Sequence, residues 1–342
     1  MWRTLQLCRR LALLTLAGMA GVLASLPAGA TTTLVINQLL PPADPINQQV
    51  LRPWAADVER VTDGRVRISL PNAPVAAPEQ LWNAVIGGIV DGAYVYDGLY
   101  ARQLPMEQIT ALPFIGGNAA ATSVALWDTY RKFFAKAHEY RNVKLLALFA
   151  MPSGQIFSLG KPIVQPGDFV GRRMWVLPGA PQQILSHSGA GIISSPAVQV
   201  SELVAGKTVD AIAGISSYNV DAFKVMAYMK SETVIPGGLT TPSFSLIVNR
   251  SKWEAIAPAD RKAIEAISGV AFARRLTTIA RFGRQAREIG VQGGMKVLMP
   301  SAALMDKLKA YAKPLVEQWL QSAKAGGVDG PAALKYFQTQ AR

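Results

Sequence analysis

The chain has 342 residues, half of them hydrophobic, with 35 Lys and Arg against 22 Asp and Glu and a single cysteine, Cys8. That length suffices for two ordinary domains with real cores, and one cysteine excludes a disulfide framework or a cysteine metal centre. The basic balance admits nucleic acid, an anionic surface or a small anionic ligand. Scattered basic residues with no stripe interleaved with aromatics speak against nucleic acid.

In the first thirty residues Arg3, Arg9 and Arg10 precede an apolar run from Leu11 to Leu26, then Ala28-Gly29-Ala30, with no acid. This order reads as a secretory signal peptide with cleavage expected after Ala30. The run is short and broken by Gly18, Gly21 and Pro27, which argues against a membrane anchor, and no later segment reaches the length of a span. The mature chain is expected to be soluble, with a net charge near +10 that fits attraction of small anions.

The mature start, TTTLVINQ, is a strand from its β-branched content. Asp44 and Pro45 suit a helix start, and Val50, Leu51, Trp54, Val58 and Val61 form a helical stripe ending before Gly64. Val66, Ile68 and Leu70 then alternate as a strand, giving the β-α-β opening of an α/β lobe. Two stretches echo one another: NAVIGGIVDGAY from Asn83 and ELVAGKTVDAIA from Glu202. Each ends a helix at a glycine (Gly87, Gly206) and starts a small apolar strand after Val-Asp, which two lobes of similar plan would produce. VKLLALFA closes the first lobe, MPSG crosses to a second lobe holding QIFSLG, RRMWVL, GIISSP and VDAIAG, and SFSLIVN returns to the first. From Pro258 the pattern is helical, with one long helix running through Ile289, although Gly269 and Gly283 weaken it. The expected division is a first lobe of residues 31–152 plus 240–280 and a second of 153–239 plus 281–342, with a ligand cleft between them. Leu304, Leu308, Tyr311, Leu315 and Trp319 make a C-terminal stripe that reads as core.

Catalytic signals are lacking. His138 and His187 have neither the spacing of a metal pair nor a nucleophile motif around them, and Asp91 and Asp210 at strand starts read as capping or turn residues. No phosphate loop, nucleophile elbow or HExxH is present. The sequence asks for no enzyme, no cofactor and no metal.

Five fragments in order carry a resemblance: PWAADVERVTDGRVRI, LWNAVIGGIVDGAYVYDGLYARQLPMEQITALPF, KPIVQPGDFVGRRMWV, LVAGKTVDAIAG and PSFSLIVNRSKWEAIAPADRKAIEAISG. Over its mature length the chain resembles the solute receptors of tripartite ATP-independent periplasmic (TRAP) transporters, of the DctP-like family. The resemblance implies a two-lobed periplasmic-binding-protein-like α/β fold, a long helix spanning both lobes, and a periplasmic location. It implies capture of a small organic acid and its delivery to a membrane permease driven by an ion gradient. Use of the same fold for sensing or scavenging is the alternative. Monomer and homodimer are both open.

The family holds its ligand's carboxylate with an arginine in a Gly-Leu-Lys-Ile-Arg-Val stretch. Counted from Gly171, Trp175 stands in the arginine's place. Gly214 stands where a ligand-contacting asparagine often lies, and Asp44 where histidine is frequent. A strand tryptophan read alone is core packing, whereas family geometry turns it to the cleft as a stacking surface for a less polar, aromatic acid. Arg173, on the same strand face, is then the substitute anchor. The same positional logic nominates Asn37 and Gln38 after the first strand, Tyr96 and Asp97 after the first echo, Gln155 and Phe157 at the crossing, and Ser216 and Tyr218 after the second.

Overall fold

The computed structural model describes residues 31–341, so the expected signal peptide lies outside the described residues. The first sheet holds β1 (Thr32–Asn37), β2 (Val66–Ser69), β3 (Gly92–Tyr96), β4 (Val143–Ala150) and β10 (Ser243–Asn249), in the order β2-β1-β3-β10-β4. The second holds β5 (Gln155–Ser158), β6 (Arg173–Val176), β7 (Gly191–Ser194), β8 (Ala211–Ile215), β9 (Ser231–Thr233) and β11 (Lys296–Leu298), in the order β11-β9-β5-β8-β6-β7. Each sheet contains one strand that has just crossed from the other lobe. β10 runs antiparallel between β3 and β4, and β5 antiparallel between β8 and β9.

The sequence echo is a structural one. Asp91 ahead of β3 donates its backbone N–H to the Val35 carbonyl of β1 at 3.0 Å, and its carboxylate accepts the Val35 N–H at 2.8 Å. Asp210 ahead of β8 does the same to Arg173 of β6, at 3.0 Å. Each aspartate thus clamps two parallel strands in register, a structural use of a carboxylate at a strand start.

Helices α1 (Arg52–Val61), α2 (Leu81–Ile86) and α3 (Ala119–Thr129) pack on the first sheet; α4 (Ala180–Leu185), α5 (Val200–Ala205) and α6 (Ser217–Ala222) belong to the second. Along the stripe leading into α1, Val50, Leu51, Trp54 and Val58 are fully buried, each apolar side chain stabilising the fold by roughly 1.5–3 kcal/mol. After α7 (Arg250–Glu254), the single helix expected through Ile289 is instead three: α8 (Pro258–Ala266), α9 (Gly269–Arg274) and α10 (Thr277–Gln292). The break has a local cause. Ser268 is extended and accepts a hydrogen bond from the Trp54 indole at 3.3 Å, and Gly269 takes φ +52° where a Cβ would lie 2.6 Å from the Trp127 ring. Gly283, by contrast, sits inside an unbroken α10.

Among the described residues the longest helix is α11 (Ala302–Ala325), which precedes α12 (Gly330–Gln340). Leu304, Leu308 and Ala312 are buried in the core under the second sheet, while Trp319 and Ala323 are buried in that of the first, where the Trp319 indole donates to the Met106 carbonyl at 3.3 Å. The C-terminal stripe is therefore internal and ties the two lobes together.

Candidate ligand cleft

Parallel strands that end side by side leave a crevice beyond their carboxyl ends, the usual ligand position in open α/β sheets. Here two such crevices face each other. β1 runs on into Leu39 and Leu40, β3 ends at Tyr96, β6 runs on into Leu177, and β8 ends at Ile215. With Phe223 and Phe244 these side chains surround a narrow inner cavity of about 50 Å³. Its aromatic wall is a packed stack: the Tyr96 and Phe244 rings lie 5.5 Å apart, and Phe244 stacks on Phe149 at 5.3 Å.

No lining side chain of this cavity is charged. Tyr96 spends its hydroxyl across the lobes on the Pro178 carbonyl at 2.8 Å. Asn219 accepts from the Ser216 N–H at 3.2 Å and hydroxyl at 2.9 Å, which leaves its Nδ2 as a donor without a partner among the described residues. A second cross-lobe contact clasps the loop before α1. The Tyr218 hydroxyl donates to the Asp44 carboxylate and accepts from the Ile46 N–H at 3.1 Å. Burial pushes the Asp44 carboxyl up, against the hydrogen bonds from Tyr218 and Ile46, and burial beside Asp44 raises the phenol.

The sequence-nominated residues scatter around this centre. Tyr96 lines the inner cavity, and Asn37 and Gln38 line an adjoining compartment. Gln155 and Ser216 line a separate cavity near the crossing, and Phe157 is core. Gly214, at φ +89°, has no room for a side chain, since a Cβ would lie 2.9 Å from Pro181 and 3.0 Å from Leu177. Trp175 is fully buried, with its indole N–H on the Ser195 hydroxyl at 3.0 Å and carbonyl at 3.2 Å. Arg173 is a surface residue whose guanidinium forks onto Asp210 at 2.8 and 3.1 Å, holding that carboxyl below the usual range. Strand geometry explains both placements: of the residues on this face of β6, Leu177 reaches the cavity, Trp175 stops one residue pair short with its indole on Ser195, and Arg173 lies a further ~7 Å back. Stacking by Trp175 and anchoring by Arg173 are thus not what this arrangement provides. Leu177 and Asn219 went unnominated, although Leu177 follows from Trp175 by the two-residue period.

The model of the family of bacterial extracellular solute-binding proteins, family 7, matches residues 36–322. The chain belongs to this family. TsaT of Comamonas testosteroni, an outer membrane transporter protein, is 37% identical over 325 residues, 94% of this chain and 96% of that one. A TRAP periplasmic solute-binding protein of Bordetella bronchiseptica, solved with bound (R)- and (S)-mandelate, shares the fold at a TM-score of 0.85 and 30% identity, over 90% of this chain and 98% of that one. A TRAP solute-binding protein of Rhodoferax ferrireducens T118, solved with copurified benzoate, reaches 0.81 at 23% identity over 91% and 98%, a likeness that bears on the fold alone. Among the described residues no helix is long and apolar enough to cross a membrane.

Two further polar regions of this family 7 receptor lie off the inner cavity. Pro152 and Ser153, next after Met151, line the cavity near the crossing, where Arg287 forks onto the buried Glu232 at 2.6 and 2.8 Å and Arg284 is exposed. Asp97 lies beneath the first lobe's surface, not in the cleft. One of its oxygens accepts from Ser245 at 2.6 Å, and the other is buried without a partner. Burial, with Glu107 beside it, pushes its carboxyl up to about 8, and burial also raises Glu107 and Glu139.

Proposed function

We propose that this receptor captures an aromatic carboxylic acid in the inner cavity and delivers it to a TRAP-type permease, acting by binding and without turnover. The observation that carries this is a cavity walled by both lobes, with Tyr96, Phe223 and Phe244 for a flat ring, one free amide donor at Asn219 and no charged side chain. Ring contacts of this kind contribute about 0.5–1.5 kcal/mol beyond area burial. With no guanidinium to match it, the carboxylate is held by hydrogen bonds at the polar end, and the net positive charge of the chain favours the approach of anions. The mandelate-bound relative supports an aromatic acid over an aliphatic one. The lobes are taken as residues 31–152 plus 240–280 and 153–239 plus 281–342, with the C-terminal helices reaching back so that Trp319, Ala333 and Phe337 pack in the first lobe's core, and export with removal of residues 1–30 would put the receptor in the periplasm. One chain supplies both walls, so no second copy is needed to complete the site.

The test is a thermal-shift screen of the mature protein against benzoate, phenylacetate, both mandelates, succinate and malate. A ligand at a hundredfold excess over its dissociation constant stabilises by about 2.7 kcal/mol. Stabilisation by the aromatic acids is expected; a response to succinate or malate alone would sink the proposal.

A further inference from the structure

A second space lies on the far side of Leu39 and Leu40. With Pro78 and Val198 these side chains form the wall that the inner cavity shares with a second compartment of about 570 Å³. Pro41 and Pro42 bound it on one side, Pro71, Pro74 and Pro78 on the other. Proline fixes its own backbone and offers no N–H, so these walls are stiff and poor in donors.

Two buried polar side chains face this space. Asn37 has a partner at each polar atom: its Oδ1 accepts from the Val75 N–H at 2.7 Å, and its Nδ2 donates to the Gln38 carbonyl at 3.1 Å. Gln38 is half used: its Nε2 donates to the Pro71 carbonyl at 2.7 Å, while its Oε1 is buried with no partner. A carbonyl only accepts, so the Gln38 amide cannot be turned round, and Oε1 is a fixed acceptor. Buried acceptors without donors are rare because the group has lost water and gained nothing. No donor of the chain bonds Oε1, which leaves that bond to an occupant.

We infer that this compartment is a second subsite of the ligand cleft, taking a ring substituent that carries a hydrogen-bond donor, a hydroxyl or an amine, with Gln38 Oε1 as its acceptor. The inference rests on the aromatic-acid reading of the inner cavity: acid group toward Asn219, ring over Tyr96 and Phe244, substituent reaching past Leu39 and Leu40. It narrows the ligand to aromatic acids bearing a donor away from the carboxylate. A water molecule is the rival occupant of Oε1.

Calorimetric titration of the mature protein with matched pairs separates these cases: benzoate against 4-hydroxybenzoate and 4-aminobenzoate, and phenylacetate against 4-hydroxyphenylacetate. The donor-bearing member of at least one pair is expected to bind about tenfold more tightly, the worth of one net hydrogen bond. In Gln38→Leu the ratio within that pair should collapse to near one. Ala77→Leu, at an exposed position of the compartment wall, should narrow the same ratio by crowding the substituent, with circular dichroism checking that both variants fold. Equal affinities within every pair, or a preference that survives Gln38→Leu, overturns the subsite while the aromatic-acid reading stands. Binding of none of these acids overturns both.

Discussion

Asp97→Asn gives a stability effect that grows with pH. In the folded chain burial keeps the Asp97 proton up to about pH 8, whereas an unfolded chain releases it near pH 3.9. Below pH 4 the group therefore costs the fold nothing. From there to pH 8 the unfolded state gains by ionising while the folded state does not, so stability falls by about 1.4 kcal/mol per pH unit; above pH 8 the loss is complete. Asparagine stays neutral throughout and its oxygen can still accept from Ser245. Relative to wild type, the variant should gain about 3 kcal/mol between pH 5 and pH 7. Urea unfolding of both proteins at pH 5, 6 and 7, followed by tryptophan fluorescence, measures the difference; Glu107 and Glu139 remain in both, so their own slopes largely cancel. A difference that does not change with pH would mean that Asp97 is already ionised in the fold, and the buried neutral carboxyl described above would be wrong.

Tyr218→Phe removes the phenol that Asp44 accepts from across the lobes; the ligand should bind about five- to tenfold more weakly, and small-angle scattering should show the unliganded protein more open. Trp175→Arg restores the family's residue type but puts a guanidinium at a fully buried position; it should destabilise by about 3–5 kcal/mol, read from unfolding curves, and confer no affinity for aliphatic acids. Gly214→Asn restores the other missing side chain at φ +89° against Pro181 and Leu177, and should cost about 1–3 kcal/mol rather than create a ligand contact.

Much of the fold was legible because it is written in local chemistry. The echo around Asp91 and Asp210 marks paired lobes since the same glycine stop and aspartate clamp recur in both, and the apolar, β-branched content of SFSLIVN marks a strand wherever it finally pairs. The broken helix was harder to read: Gly269 is compatible with a helix interior, and only the approach of Trp127 and the bond from Trp54 to Ser268 show why the chain turns there. For the cleft, the sequence located the strand ends but not their side-chain depth. Trp175 and Leu177 share a face, and nothing local decides which of them meets the cavity; the Ser195 loop, twenty residues away, covers the first and leaves the second uncovered. Asn219 escaped notice because its capping role with Ser216 hides the one donor it leaves free.

The most direct measurement is a crystal structure of the mature receptor with whichever aromatic acid stabilises it most. The account predicts the ring between Tyr96, Phe244 and Leu177 with a carboxylate oxygen within hydrogen-bond distance of Asn219 Nδ2. A ligand found instead in the cavity near the crossing, with its carboxylate on Arg284, would contradict it.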